Sequence, residues 1–353
     1  METQQKLQPV KEYVFKSDEH MHVKNAYLDN RITPKPPSFK KSFVPNDVYF
    51  VKLGRGRLIG QEFYCQSFDY QCDNKAFFYL TSPGAIESKQ SSNTIVKGEP
   101  GYTYVSCANA GFNNFYHWMF QALPAILQTL KTFEGQNFKI VLPPLNSFRK
   151  RTIELLKIPS ENIHQLELNE SIECDELVFC NLTSGDFSFR PSPYLETLYR
   201  DFFVKVKNQV SASFKPPKRV FVSRKDSPKR GISNEEEVSR LLKLYGFTEV
   251  LMSSLSLEEQ IVLFNSAKTI VAPHGAGLVN LVFGNEDLNI LELIPSNYIN
   301  DCFYRISVLK QQNYFNLYAD SIGDNHYHYT DSEVSVTLLE EKLIQMGLEK
   351  EPE

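Results

Sequence analysis

The second half of the chain alternates apolar runs with amphipathic segments, and this alternation constrains the fold more than any other feature. Short runs rich in β-branched residues predict strands, and longer runs with one apolar face predict helices. A regular strand–helix order requires a parallel, Rossmann-like sheet, whose ligand normally lies at the carboxyl ends of the strands. The predicted elements are strand 219–223, helix 235–245, strand 248–252, helix 257–268, strand 269–273, helix 277–283 and strand 289–294.

Start and stop signals support these helix boundaries. Asn234 is a predicted N-cap with Glu237 at the third helical position, and Gly246 is a predicted stop. Ser256 precedes the next predicted helix, and Glu259 is spaced to complete a capping box.

A glycine-rich turn joins strand 269–273 to its helix. Such a turn aims unpaired backbone N–H groups outward, and the helix dipole adds partial positive charge there. The alternative is a tight connection in which glycine only supplies a positive φ. Because the turn follows a predicted parallel strand, we interpret it as a phosphate or diphosphate site. Its residues are His274, Gly275, Ala276, Gly277 and Leu278.

Two arginines follow another predicted strand. Arg224 comes directly after strand 219–223, and Arg230 lies in the loop beyond it. Guanidinium groups match phosphate in geometry and charge. Together with the turn they indicate a protein that holds a nucleotide diphosphate, which leaves during the reaction. A solvated surface charge is the alternative interpretation of each arginine.

The first half of the chain shows a less regular α/β alternation. Residues 1–60 are polar, proline-rich in part, and predicted to pack loosely. Because 353 residues are many for one core, we predict two domains, at 1–210 and 211–353. The other predicted elements are helix 114–131, strand 139–142, helix 147–156, strand 173–180, helix 193–210 and a terminal helix at 332–346.

Charge and composition exclude several classes of protein. The net charge is −4 and no basic run is present, which argues against nucleic acid as the main partner. The N-terminus lacks the apolar core of a signal peptide, and no apolar run reaches spanning length. The six cysteines are scattered without a Cys-x-x-Cys pair, so buried thiols in a reducing cytoplasm are expected.

The first half carries a cluster that suggests acid–base chemistry. His117 and Gln121 are four residues apart and share one face of the predicted helix. Imidazole titrates near neutral pH, so His117 is a candidate general base. The alternative is a core histidine, packed beside Trp118, the only tryptophan of the chain.

Six motifs follow one another along the chain: Asn114-Phe-Tyr-His-Trp118 with Leu123-Pro124, Val222-Ser-Arg224, Arg230-Gly-Ile-Ser-Asn-Glu235, Glu259-Gln-Ile261 with Ala267, Ile270-Val-Ala-Pro-His-Gly-Ala-Gly-Leu278 with Asn280, and Leu291-Glu-Leu293 with Pro295. Taken in this order, they resemble glycosyltransferase family 61. The resemblance spans about 115 to 296 and implies a GT-B architecture, in which two Rossmann-like domains face each other across a cleft. It also implies inverting transfer from a nucleotide-activated sugar.

The resemblance implies roles for individual residues. Family members commonly carry an acid four residues after the motif histidine, and Gln121 stands there, so His117 becomes the nearest base. A leaving diphosphate needs a metal or fixed cations, and the chain has no Asp-x-Asp pair, so metal-independent catalysis without a cofactor is expected. Asn114, Trp118 and Gln121 are expected on the acceptor side. The expected donor-binding residues are Arg224, Arg230, His274, Gly275, Ala276, Gly277, Leu278, Asn280 and Glu292, the last as a ribose ligand at the end of a central strand.

The expected protein is a cytoplasmic, inverting glycosyltransferase without a transmembrane segment. It uses a nucleotide-sugar donor, expected to be UDP-linked, and a glycan or glycolipid acceptor, in surface polysaccharide or glycoconjugate assembly. Peripheral association with a membrane is left open. The alternative function is a catalytically silent nucleotide-sugar-binding subunit that assists a partner enzyme. A dinucleotide-dependent oxidoreductase is disfavoured because no strand precedes a Gly-x-Gly-x-x-Gly motif.

Overall fold

The computed structural model describes residues 9–17, 20–22, 25–29, 39, 42–70, 94–227, 229–323 and 330–352. Its contacts divide the chain into two compact units. The first unit comprises Met1–Glu19 and Val44–Phe202, and the second comprises His20–Phe43 and Phe203–Glu353. Residues 20–43 thus group with the second unit, whereas the assignment of domains to 1–210 and 211–353 stays a prediction.

Strands occur in both units. In chain order they are β1 (Val10–Phe15), β2 (Met21–His22), β3 (Asn25–Tyr27), β4 (Ser42–Phe43), β5 (Val48–Ile59), β6 (Tyr64–Ser67), β7 (Thr94–Lys97), β8 (Thr103–Ser106), β9 (Phe138–Leu142), β10 (Ile163–Gln165), β11 (Glu170–Cys180), β12 (Arg219–Ser223), β13 (Thr248–Leu251), β14 (Thr269–Pro273), β15 (Asn289–Pro295), β16 (Asn313–Ser321) and β17 (Ser332–Glu333).

The helices connect these strands. Within the described ranges, no helix is both long enough and apolar enough to cross a membrane. The α-helices are α1 (Phe115–His117), α2 (Leu123–Thr132), α3 (Ser147–Leu156), α4 (Leu195–Val206), α5 (Glu235–Leu244), α6 (Leu257–Ser266), α7 (Cys302–Leu309) and α8 (Val336–Gln345). A π-helical segment, Trp118–Ala122, joins α1 to α2, and 3₁₀ segments occur at Ser160–Asn162, Asn181–Thr183, Gly185–Ser188, Met252–Ser254 and Ala276–Phe283.

The sheet of the first unit is mixed. Its strand order is β1-β5-β11-β8-β9-β10, with β6 added to β5 and β7 added to β11. Strand β11 runs parallel to β7 and β8 but antiparallel to β5. The helix–strand alternation predicted for this half is confirmed from α1 to β11, although the boundaries differ by a few residues.

The prediction that residues 1–60 pack loosely is wrong for β5. This strand pairs with both β1 and β11, so it lies inside the sheet. Its side chains Val48, Leu53 and Leu58 are fully buried. The sequence did not reveal this strand because lysine, arginine and glycine residues interrupt its apolar pattern.

The sheet of the second unit is parallel through its central strands, as predicted. Its order is β13-β12-β14-β15-β16-β17, with β3 parallel to β16 and β17 antiparallel to it. From β12 the chain passes first to β13 on one side and then to β14 on the other. The topological switch point therefore lies between the carboxyl ends of β12 and β14, where doubly wound sheets bind ligands.

Local signals set two of the helix boundaries in this unit. Ser256 accepts a hydrogen bond from the N–H of Glu259 in a complete capping box, as predicted. Gly246 adopts φ 73° and follows α5, which confirms the predicted stop. Asn234 stands at the N-cap position of α5, as predicted, but its side chain makes no capping bond and exchanges two hydrogen bonds with the backbone of Val334 instead.

The π-helical segment Trp118–Ala122 leaves one carbonyl to be satisfied from outside the helix. The N–H of Leu123 bonds to the carbonyl five residues earlier, in the π pattern. The next residue, Pro124, has no N–H, so the carbonyl of Met119 lacks this partner. The buried hydroxyl of Tyr199 on α4 donates to the Met119 carbonyl oxygen at 3.0 Å. This hydrogen bond ties α4 to the helix that carries His117.

Tyr199→Phe should therefore destabilise the fold. Removing the donor leaves a buried carbonyl unpaired, which costs about 1–3 kcal/mol. Urea unfolding measures this loss. Tyr194→Phe is the control, because the Tyr194 hydroxyl donates to Gln128 Oε1, and a side-chain amide can turn toward another partner. A Tyr199→Phe protein as stable as the parent would show that the carbonyl of Met119 finds another donor.

Candidate functional site

Two features that the sequence singled out lie together at the switch point of the second unit. Arg224 directly follows β12, and the glycine-rich turn directly follows β14. Since β12 and β14 are parallel neighbours, both features lie at the same edge of the sheet. We call Arg224, Arg230 and residues 274–278 the switch-point cluster.

Gly275 leaves the space that the Arg224 guanidinium occupies. A Cβ atom on Gly275 would lie 2.0 Å from Arg224 Nη1, far inside van der Waals contact. Gly275 has φ −172°, an extended conformation that any residue adopts. The interpretation in which glycine only supplies a positive φ is therefore wrong here. Glycine at this position leaves room for the guanidinium to pack directly against the backbone.

Arg224 is held by the loop that follows β12. Its Nη2 donates to Ser227 Oγ and to the carbonyl of Lys229, both at 2.8 Å. Its Nε is buried and has no hydrogen-bond partner. Burial and, to a smaller extent, the positive charge of Arg230 together lower the pKa of Arg224 to about 10. The group still carries its charge at neutral pH.

Arg230 lies next to an aromatic ring. Its guanidinium carbon is 5.2 Å from the centroid of the Tyr298 ring, within the range of a cation–π contact. Its backbone adopts φ 57°, and its Nε is buried without a hydrogen-bond partner. Within the described part of the chain, neither Arg230 nor Arg224 forms an ion pair. Two such cations are suited to an anion that supplies the missing acceptors.

The turn itself leads into a 3₁₀ helix rather than the predicted α-helix. This helix, Ala276–Phe283, starts directly after Gly275, and its first N–H groups lack partners within the helix. Asn280 is buried and donates to the carbonyl of Gly277 at 3.2 Å, so it braces the turn from inside. Leu278 is also buried. Ala276 and Gly277 are the half-exposed residues of the turn.

His274 and Glu292 form a buried pair behind the turn. Glu292 lies in the middle of β15, opposite Ala272, and not at the end of the strand as expected. Its Oε1 is 2.5 Å from His274 Nδ1, and its Oε2 accepts a hydrogen bond from the Tyr314 hydroxyl. The side chain of Glu292 is fully buried. Each carboxylate oxygen of Glu292 thus has a protein partner, His274 or Tyr314. The role of Glu292 in ribose binding stays a prediction.

The residues expected on the acceptor side belong to the first unit and differ in exposure. Asn114 is exposed and caps α1, where its side chain accepts a hydrogen bond from the N–H of Tyr116. Trp118 is fully buried, and its indole N–H donates to Thr152 Oγ1 at 3.1 Å. Trp118 therefore packs in the core of this unit and fixes the helix that carries His117.

His117 and Gln121 are in direct contact, as their spacing predicted. His117 Nδ1 lies 2.8 Å from Gln121 Oε1. Gln121 is fully buried, and its amide also contacts Asn109 and the carbonyl of Ser184. Burial lowers the pKa of the half-buried His117 imidazole, although the hydrogen bond to Gln121 opposes this shift. The imidazole is therefore neutral at neutral pH and can accept a proton.

Sequence reasoning did not identify several side chains that hold these groups. Tyr298, Tyr314 and Asn109 are distant in sequence from the residues they contact, and none belongs to a recognisable motif. Ser227 lies close to Arg224, but only its hydrogen bond distinguishes it from other loop serines.

Among the residues that the structure describes, no group of three or more His, Cys, Asp or Glu side chains is arranged to hold a metal ion.

A groove of about 800 Å³ lies along α5 and the C-terminal residues, lined in part by Arg240, Leu244 and Val336. It contains no residue of the switch-point cluster.

Comparison with known proteins identifies a family. The family model described as Glycosyltransferase 61 matches residues 115–291, half of the chain. The matched region includes His117, Gln121 and the switch-point cluster, and it ends one residue before Glu292. A search of curated proteins gave no match.

Glu292→Ala should strongly destabilise the second unit. It removes the partner of both His274 and Tyr314 in a buried position, and breaking such a pair typically costs about 3–5 kcal/mol. Asp287→Ala is the control, because Asp287 pairs with Lys268 at the exposed surface of the same unit, and such pairs contribute about 0–1 kcal/mol. Chemical unfolding of both variants measures the difference. Equal, small losses would contradict the structural role of Glu292.

Proposed function

Because the chain belongs to glycosyltransferase family 61, we propose that it is an inverting enzyme with a nucleotide-diphosphate sugar as donor. The sugar passes to a hydroxyl of a glycan or glycolipid acceptor. One observation carries the donor half of this proposal. Two arginines without ion-pair partners in the described chain lie near a backbone turn at the switch point of a doubly wound sheet. Arg224 contacts Gly275, and Arg230 lies over the ring of Tyr298, which contacts His274.

The switch-point cluster has the chemistry that a diphosphate needs. Arg224 and Arg230 offer charge-assisted hydrogen bonds, and the half-exposed residues Ala276 and Gly277 offer backbone N–H groups. As the bond between the sugar and the diphosphate breaks, negative charge grows on the leaving oxygen. In the proposed mechanism these fixed cations and dipoles stabilise that charge and take the role that a metal ion has in other enzymes.

The proposed base is His117. In inverting transfer the acceptor oxygen attacks the anomeric carbon from the face opposite the diphosphate, and its proton passes to the base. A neutral imidazole accepts that proton, and the lowered pKa of His117 keeps the ring neutral at physiological pH. Gln121 cannot accept the proton, but it holds the imidazole by a hydrogen bond.

Arg224→Ala and Gly275→Ala should both weaken binding of UDP, which serves as the probe for the donor. Loss of one charge-assisted contact, about 1.5–3 kcal/mol, predicts at least about tenfold weaker binding for Arg224→Ala. The methyl group of Gly275→Ala would displace the Arg224 guanidinium, whose flexible side chain can move without unfolding the protein. Calorimetry measures both affinities.

Lys225→Ala is the matched control for the donor site. Lys225 is the exposed neighbour of Arg224 and pairs with Glu249, so its loss should leave the affinity for UDP within about twofold. Equal affinity in the parent, Arg224→Ala and Gly275→Ala would remove the switch-point cluster from the donor site.

His117→Ala should abolish most transfer and leave UDP binding intact. Removal of a general base typically costs about 10²–10⁴ in rate. The pH profile gives a second test: the neutral imidazole predominates above its pKa, which burial lowers from 6.5. The kcat of the parent should therefore stay constant through neutral pH and fall only as the pH drops below 6.5.

His164→Ala is the matched control for the base, since burial also lowers the pKa of His164 in the same unit. It should transfer sugar at nearly the parent rate. Parent-like transfer by His117→Ala would mean that another group is the base. A parent protein that binds UDP but neither transfers nor hydrolyses any donor would favour the silent binding subunit.

A further inference from the structure

We propose that Gln121 is a positioning residue that fixes His117 in the tautomer with its hydrogen on Nδ1, so that Nε2 carries the reactive lone pair. The catalytic consequence rests on the proposed function, whereas the tautomer itself does not. The argument starts from backbone groups, whose donor and acceptor roles are unambiguous.

The orientation of the Gln121 amide follows from a backbone carbonyl. Its Nε2 lies 2.7 Å from the carbonyl oxygen of Ser184, and a carbonyl oxygen can only accept a hydrogen bond. The opposite orientation would bring two oxygen atoms together at that distance inside the protein. The nitrogen of Gln121 therefore faces Ser184, and its oxygen faces His117.

Asn109 reinforces the same orientation. Its Oδ1 accepts a hydrogen bond from the backbone N–H of Gly111 at 2.9 Å, and its Nδ2 donates to the carbonyl of Thr183 at 2.8 Å. The same Nδ2 donates to Gln121 Oε1 at 2.7 Å. Backbone groups thus fix both amides, and Gln121 Oε1 can serve only as an acceptor.

The tautomer of His117 follows directly. Nδ1 of the ring lies 2.8 Å from Gln121 Oε1, so it must donate a hydrogen to that oxygen. In the neutral ring the second nitrogen, Nε2, then carries the lone pair. The ring packs closely against the backbone of Gly111, where a Cβ atom would lie 2.5 Å from His117 Cδ2.

Gln121 orients the His117 ring without adding a charge beside it. A carboxylate at position 121 would also accept the Nδ1 hydrogen, but its negative charge would stabilise the imidazolium form. A neutral amide orients the ring and leaves it unprotonated at neutral pH. The replacement of an acid by Gln121 is thus compatible with a histidine base, provided that the hydrogen bond persists.

Nuclear magnetic resonance tests the tautomer in the parent protein, independently of activity. Long-range correlations between ring protons and ¹⁵N-labelled imidazole nitrogens distinguish the two neutral forms. Loss of one signal set in His117→Ala assigns the residue among the seven histidines. We expect the Nδ1–H form at neutral pH. Finding His117 with its hydrogen on Nε2 would overturn the proposal, whether or not the protein is a transferase.

Kinetics then test the positioning role. Gln121→Met removes the acceptor and keeps the length of the side chain, so the Nδ1–H signature should weaken and kcat should fall at least about tenfold. The donor KM should stay within about threefold, since the donor cluster belongs to the other unit. Gln121→Glu retains the acceptor and should keep the hydrogen on Nδ1, but its negative charge should raise the pKa of His117 and move the fall of kcat to higher pH.

Gln128→Met is the matched control. Gln128 is a buried glutamine of α2 that bonds to Thr132 and Tyr194, so the substitution makes the same chemical change away from His117. It should leave kcat and the tautomer unchanged. An unchanged kcat in Gln121→Met would overturn the positioning role. If instead His117→Ala transfers at the parent rate while the parent shows the Nδ1–H form, the proposed base fails and the tautomer assignment stands.

Discussion

The switch-point cluster of the second unit depends on one contact, between the Arg224 guanidinium and the backbone of Gly275. The contact is possible only while position 275 carries no side chain, and it places one positive charge at the carboxyl ends of two parallel strands. Burial of that charge is unfavourable in the absence of an anion, as the lowered pKa of Arg224 indicates. Such a cation binds a phosphate more strongly than a solvated one, because less water must be removed when the ligand arrives.

In both units, backbone groups fix the side chains of the candidate site. In the second unit, Arg224 is anchored by the carbonyl of Lys229 and by Ser227. In the first, carbonyl and N–H groups orient Asn109 and Gln121, and these orient an imidazole. Backbone partners cannot change rotamer, so they specify geometry more tightly than pairs of mobile side chains do.

The sequence predicted the elements whose signals are local. The strand Arg219–Ser223 and helix α3 were predicted at their observed bounds, and the Ser256 capping box is confirmed. Contacts between distant segments could not be read in the same way. Strand β5 gains its burial from pairing on both sides, and Asn234 prefers the backbone of Val334 to its own helix. The helical spacing likewise predicted that His117 and Gln121 share a face. The groups that orient them, Asn109 and the carbonyls of Thr183 and Ser184, come from other segments and could not be predicted in this way.

The π-helical segment makes chain length, and not only residue identity, a determinant of the first unit's site. A π segment holds one more residue than an α-helix between the same two ends, and each residue of an α-helix turns the chain by about 100°. Deletion of one residue between His117 and Gln121 would remove the extra residue of the π turn. It would also change the spacing of the two side chains from four residues to three, and so shift the imidazole relative to the amide that orients it. The relative position of these two side chains thus depends on the number of residues in the helical segment between them.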